Sequence, residues 1–136
     1  MNNAELAAKI LHAAVGDRDF FWANAHPDLV FEFPYAPWLG TPERVAGAED
    51  TKAYIDQLNQ ILPGMTFTNV KVMPLMEEGA YLLEYDGACP KLNNYTNKYI
   101  SIFKFKDGKL ILFHEYWNTT AVTRAFNEGD LASLES

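Results

Sequence analysis

The sequence predicts an α+β fold in which N-terminal helices pack on a curved antiparallel sheet and enclose a pocket. Three observations predict it. Apolar residues repeat at helical spacing near the N-terminus and again after Gly47. The hydrophobic period then falls from 3.6 to two after Met65. Finally, an Asp-Gly pair between two alternating runs marks a tight hairpin. At 136 residues with no break in composition, the chain is expected to form one domain over residues 1–136.

Over residues 4–15, Leu6, Ala7, Ile10, Leu11, Ala14 and Val15 share a helix face, with Asn3 as N-cap and Gly16 just past the end. Asp17 opens a shorter helix carrying Phe20, Phe21 and Trp22. It stops before His26-Pro27, because the residue ahead of a proline disfavours the α region. Residues 29–34 (LVFEFP) alternate as a strand, and the Pro- and aromatic-rich YAPWLGTPER reads as a loop able to serve as a lid. From Ala48 to Leu62, the residues Ala53, Tyr54, Leu58, Ile61 and Leu62 recur at helical spacing until Pro63-Gly64 ends the run. Strands are expected at 66–76, 80–87, 97–106 and 109–118, and a short helix at 120–127. The four form an antiparallel meander that must twist. Helices crossing its concave side without filling it leave a cone-shaped cavity, the default place for a small-molecule ligand.

Charge and composition remove several function classes. A net charge of −7 and a pI near 4.8 argue against a nucleic-acid partner, which is held by Lys and Arg. The densest lysines, Lys104, Lys106 and Lys109, merely flank a turn. The opening MNNAELAAKI has neither a basic region followed by a long apolar run nor a membrane span, so a cytoplasmic location without membrane contact is expected. Cys89 has no partner thiol and is read as a packing residue. No HxH or HxxxH pair suggests a metal, and neither GxGxxG nor a Walker loop offers a nucleotide its cradle. No metal and no cofactor are expected. Serine acyl chemistry finds no GxSxG motif.

Glu115 stands out because it lies within HEYW, where bulky neighbours would bury its carboxyl and raise its pKa. A solvent-exposed strand Glu is the commoner case. Register decides between the two. A strict two-residue hairpin pairs 106 with 109 and therefore 101 with 114, turning His114, Tyr116 and Asn118 inward and Glu115 outward beside Ile100. A bulge, common beside active sites, reverses that. Glu115 is the expected pocket residue and His114 the alternative. Tyr99 and Ser101 face inward, because Lys104 and Lys106 mark the opposite face. Core packing claims most aromatic side chains, but Trp38, Tyr54, Tyr85, Tyr95, Tyr99 and Trp117 have polar tips suited to a ring-containing ligand. Asn97 and Asn118 are candidates to orient a carbonyl or carboxylate.

The segments GAEDTKAYIDQLNQILPGM, NYTNKYISIFKFKDGKLI and HEYWNTTAVTRAF resemble, in order and spacing, the nuclear-transport-factor-2-like superfamily. Within it they resemble the SnoaL-like and phenazine-biosynthesis A/B proteins, over roughly residues 5–127. The most specific part is Tyr-x-Asn at 95–97 with Glu-aromatic-aromatic-Asn at 115–118. The resemblance implies a conical α+β barrel, usually a homodimer through its convex face, acting on a small cyclic substrate without metal or cofactor. It aligns the phenazine-type acid/base Glu with Glu115 and the pocket tyrosine with Tyr95. The helix histidine aligns with Tyr54 and a nearby serine with Leu58. A phenol in place of an imidazole keeps a hydrogen-bond donor and removes a base. The ketosteroid isomerase base falls at Phe33, which disfavours steroid-type isomerisation.

The expected function is therefore a cofactor-independent isomerase, cyclase or condensing enzyme for a small cyclic or aromatic compound, with Glu115, Tyr95 and Tyr54 catalytic. The other reading is a non-catalytic ligand-binding or dimerisation module of the same fold.

Overall fold

The computed structural model describes residues 2–126. Helix α1 spans Asn3–Ala14 and buries Ala7, Ile10, Leu11, Ala13 and Ala14 along one stripe. Its N-cap is Asn2, one residue before the expected Asn3; its Oδ1 accepts the Glu5 N–H at 2.8 Å. Asp17 caps α2 (Arg18–Ala23) in the same way, accepting from Phe20 N–H, and buries Phe21 against α1 and the sheet. The chain continues as β1 (Ala25–Glu32), a 3-10 turn (Ala36–Leu39), β2 (Arg44–Ala46) and α3 (Ala48–Ile61). Then come β3 (Thr66–Pro74), β4 (Ala80–Cys89), β5 (Tyr95–Lys106), β6 (Lys109–Trp117) and α4 (Thr119–Ala125). The helix expected to reach residue 127 ends two residues earlier, and residue 127 itself lies outside the described residues.

The six strands form one curved sheet in the order β2-β1-β6-β5-β4-β3. Two features correct the sequence reading. Strand β2 lies in the stretch read as loop; it is three residues long, too short for a period, and pairs antiparallel with β1. Strand β1 runs parallel to β6, with Phe31 beside Phe113 and Glu32 beside His114, so the sheet is mixed rather than wholly antiparallel. The alternation in LVFEFP reports which side chains are buried. It carries no information about the direction of a partner some eighty residues away.

The Asp107-Gly108 turn joins β5 and β6 with both residues at positive φ (54° and 76°), as a type I′ hairpin requires. Pairing starts as Lys106–Lys109 and Phe105–Leu110, then steps to Lys104–Leu112, leaving Ile111 as an extra residue on β6. This bulge sets Ser101 opposite Glu115 rather than His114. A second irregularity lies between Thr68 and Lys71 on β3, where Asn69 adopts φ 54°. Buried side chains of α1, α2, α3 and α4 join the concave side of the sheet in one apolar cluster.

Candidate active site

Because side chains alternate along a strand, the Ile111 bulge sends Phe113, Glu115 and Trp117 to the concave side and Leu112, His114 and Tyr116 to the convex side. Phe31 and Phe33 on and just after β1 share the concave side, and α3 lays Tyr54 and Leu58 across it. Together these residues wall a cavity of about 90 Å³. Tyr95 and Tyr99 of β5, Leu39 at the end of the 3-10 turn with Thr41 beyond it, and Val122 and Phe126 from the region of α4 also line it. Phe33 stacks on Tyr54 with ring centres 5.1 Å apart.

Glu115 is partly buried and lines this cavity. Tyr85 donates from its hydroxyl to Glu115 Oε2 at 2.7 Å and shares a 2.5 Å contact with the Ser101 hydroxyl. Burial pushes the carboxyl from its ordinary 4.5 up to about 7, and hydrogen bonds from Tyr85, Ser101 and Trp117 only partly offset it. The group therefore titrates where both giving and taking a proton are feasible near neutral pH.

The phenols around it stay protonated. Burial, and then the Glu115 charge, raise Tyr54 and Tyr85 well above an ordinary phenol. Burial likewise raises Tyr99 and pushes Tyr95 up to about 12, with hydrogen bonding to Tyr99 and Asn97 offsetting part of the rise in Tyr95. Tyr95 and Tyr99 hold their hydroxyls 2.6 Å apart, and Asn97 Nδ2 donates to the Tyr95 oxygen at 2.8 Å. Asn97 is itself fixed by Asn118. Its Nδ2 donates to the Asn118 carbonyl at 3.0 Å, and its Oδ1 accepts the Asn118 N–H at 2.9 Å.

Of the site residues predicted from sequence, the cavity gathers Glu115, Tyr54, Tyr95, Leu58, Tyr99 and Trp117. Four others support it without lining it. Tyr85 and Ser101 lie buried behind the Glu115 carboxyl, Asn97 beneath Tyr95, and Asn118 caps α4 through its Oδ1. Two are elsewhere. Trp38 is 78% exposed on the outer side of the 3-10 turn; no strand period fixed its direction. His114 faces the convex side, its Nδ1 2.7 Å from Glu32 Oε1 and its ring 4.9 Å from Tyr116, because the bulge reverses the face that strict pairing gave it. The sequence reading missed Phe31, Phe33 and Phe113 as wall residues. Phe113 could have been found from its shared parity with Glu115, whereas nothing local marked Thr41. Among the described residues, no three His, Cys, Asp or Glu side chains come together as metal ligands would. No helix there is long and apolar enough to cross a membrane.

A family model for the SnoaL-like domain matches residues 11–113. An uncharacterized protein of Bacillus subtilis, YesE, is 32% identical over 112 residues, covering 80% of this chain and 76% of its own. An uncharacterized PhzA/B-like protein of Pseudomonas aeruginosa is 30% identical over 96 residues, covering 68% of this chain and 67% of its own. A crystal structure of a nuclear-transport-factor-2-like protein of unknown function from Burkholderia pseudomallei superposes with a TM-score of 0.76. At 17% identity, and covering 93% of this chain and 99% of that one, it shares the fold.

Proposed function

The chain belongs to the SnoaL-like domain family, and on that premise we propose that it is a cofactor-independent acid–base enzyme acting on a small cyclic or aromatic compound. The observation that carries this reading is Glu115, a carboxyl with a pKa of about 7 facing an aromatic cavity whose other polar groups are hydroxyl and indole donors. In its ionised form Glu115 takes a proton from a carbon next to a carbonyl, and the C–H electron pair passes to the carbonyl oxygen as an enolate. A tyrosine hydroxyl of the Tyr95–Tyr99 pair, or Tyr54, donates to that oxygen. Where the enolate is conjugated with a neighbouring C=C bond of the substrate, the protonated Glu115 then returns the proton to the far carbon of that system and the double bond moves into conjugation with the re-formed carbonyl, which is isomerisation. Alternatively, the enolate carbon attacks a second carbonyl carbon in the same or another molecule, which is cyclisation or condensation, and Glu115 protonates the new alkoxide. The PhzA/B-like relative and the family assignment are in keeping with ring chemistry of this kind.

The test is exchange of α-hydrogens for deuterium in D₂O, followed by proton NMR on a panel of cyclic ketones. Wild type should accelerate exchange, and Glu115→Gln should lower the enhancement at least ~100-fold, the usual contribution of a positioned acid–base group. Undiminished exchange in the variant would remove the reading. One observation favours a binding module instead: Tyr54 keeps its proton, so α3 supplies no second base. Such a module would bind ketones and show no exchange at all.

Self-association through the convex face belongs to the same proposal. Tyr35, which packs on Tyr116, and Ile100 are exposed there at 44% and 40%, an apolar strip suited to a second copy.

A further inference from the structure

Taking Glu115 as a proton-transfer group leaves the charge of its ligand open, and the cavity wall specifies it. Among the described residues lining the cavity there is no Lys, Arg or His, and Glu115 is the sole carboxyl. An organic anion would enter without a counter-charge and lie beside a carboxylate in an aromatic, poorly solvated space, which penalises it twice.

Counting protons on the hydroxyls gives the complementary half. Tyr95 and Tyr99 bring two phenolic protons and use one between them, while Asn97 already donates to Tyr95. Whichever phenol donates to the other, one proton is left with no acceptor among the described residues. Tyr54 has no hydrogen-bond partner among those residues either, yet no sealed side-chain polar atom there goes unpaired, so its hydroxyl opens on the cavity. Among the described residues, two donors thus lack an acceptor. The one strong acceptor, Glu115, is already engaged by Tyr85, Ser101 and Trp117.

We infer that the site selects an uncharged ring compound bearing a carbonyl oxygen, and rejects organic anions of the same size. A carbonyl accepts from both hydroxyls, and its adjacent C–H then falls to Glu115. The inference rests on the proton-transfer reading for why a carbonyl is wanted. Its charge rule is tested by affinity alone.

The experiment is an NMR-monitored titration of the full chain at pH 8 with acetophenone and benzoate, two near-isosteric probes. Acetophenone should bind, with benzoate weaker by about 100-fold, and Glu115→Gln should recover at least tenfold of the benzoate deficit relative to acetophenone. Benzoate binding within tenfold of the ketone, or no binding of the ketone, overturns the inference. If deuterium exchange proves insensitive to Glu115→Gln while this order of affinities holds, the catalytic reading fails and the charge rule stands.

Discussion

Replacing Glu115 by Gln should make the protein more stable at alkaline pH and leave it nearly unchanged in acid. The Gln side chain keeps the shape and still accepts from Tyr85, so the difference isolates the cost of ionising a carboxyl in the aromatic cavity. A group raised from 4.5 to about 7 by burial opposes folding, once ionised, by about 3 kcal/mol. The sign follows from proton uptake. Below about pH 4.5 the folded and unfolded chains both hold the proton and no penalty exists. Between 4.5 and about 7 the unfolded chain ionises first, so stability falls as pH rises; above that the penalty is complete. Urea unfolding of wild type and variant from pH 4.5 to 8.5 reads it directly, since groups common to both cancel in the difference. The gap between them should grow by about 3 kcal/mol across that range, equivalent to roughly 9 °C in Tm for a chain this size. A gap that stays flat over the whole range would mean that Glu115 titrates like a surface carboxyl, and the case for its role as acid and base would collapse with it.

Tyr85→Phe removes a donor that lowers the Glu115 pKa, so the carboxyl should titrate about one pH unit higher, visible in the acid limb of the exchange profile or by carboxyl NMR. Gly87→Ala should destabilise by ~1–3 kcal/mol in urea melts. A β-carbon there would meet the Tyr99 ring at 2.5 Å and the Met65 methyl at 2.6 Å, and displacing that ring should also weaken acetophenone binding. Ile100→Asp on the convex face should shift the protein toward monomer in light scattering while leaving α-hydrogen exchange per chain intact. A variant of unchanged mass would argue against that face.

The helices and the hairpin were legible in the chain because their determinants are local. The caps sit within three residues of the amides they bind, and Asp107-Gly108 dictates its own turn. What stayed illegible depended on distant partners. The parallel pairing of β1 with β6 joins residues 30–32 to 112–114, and no local pattern encodes that direction. Glu115 was picked out by its apolar neighbours and by the resemblance. Its placement in the cavity hangs on one unpaired isoleucine, which the alternation of Leu110, Ile111, Leu112 and Phe113 conceals, since all four are apolar. Tyr85 and Ser101 were expected to touch a ligand and instead stand behind the carboxyl, a layer of depth that parity along a strand cannot resolve. Trp38, on a turn without any period, had no constraint on its direction.

The Ile111 bulge also works as a reading frame for β6. Every side chain beyond it is assigned to cavity or convex face by parity counted from that point. One residue gained between Leu112 and His114 would therefore bring an imidazole into the cavity and eject the carboxyl, with no lining residue substituted. In this architecture the chemistry of the interior can be exchanged by a change of length as well as by a change of letter, and relatives that differ by one residue in this hairpin need not share a proton-transfer group even where their β6 sequences match.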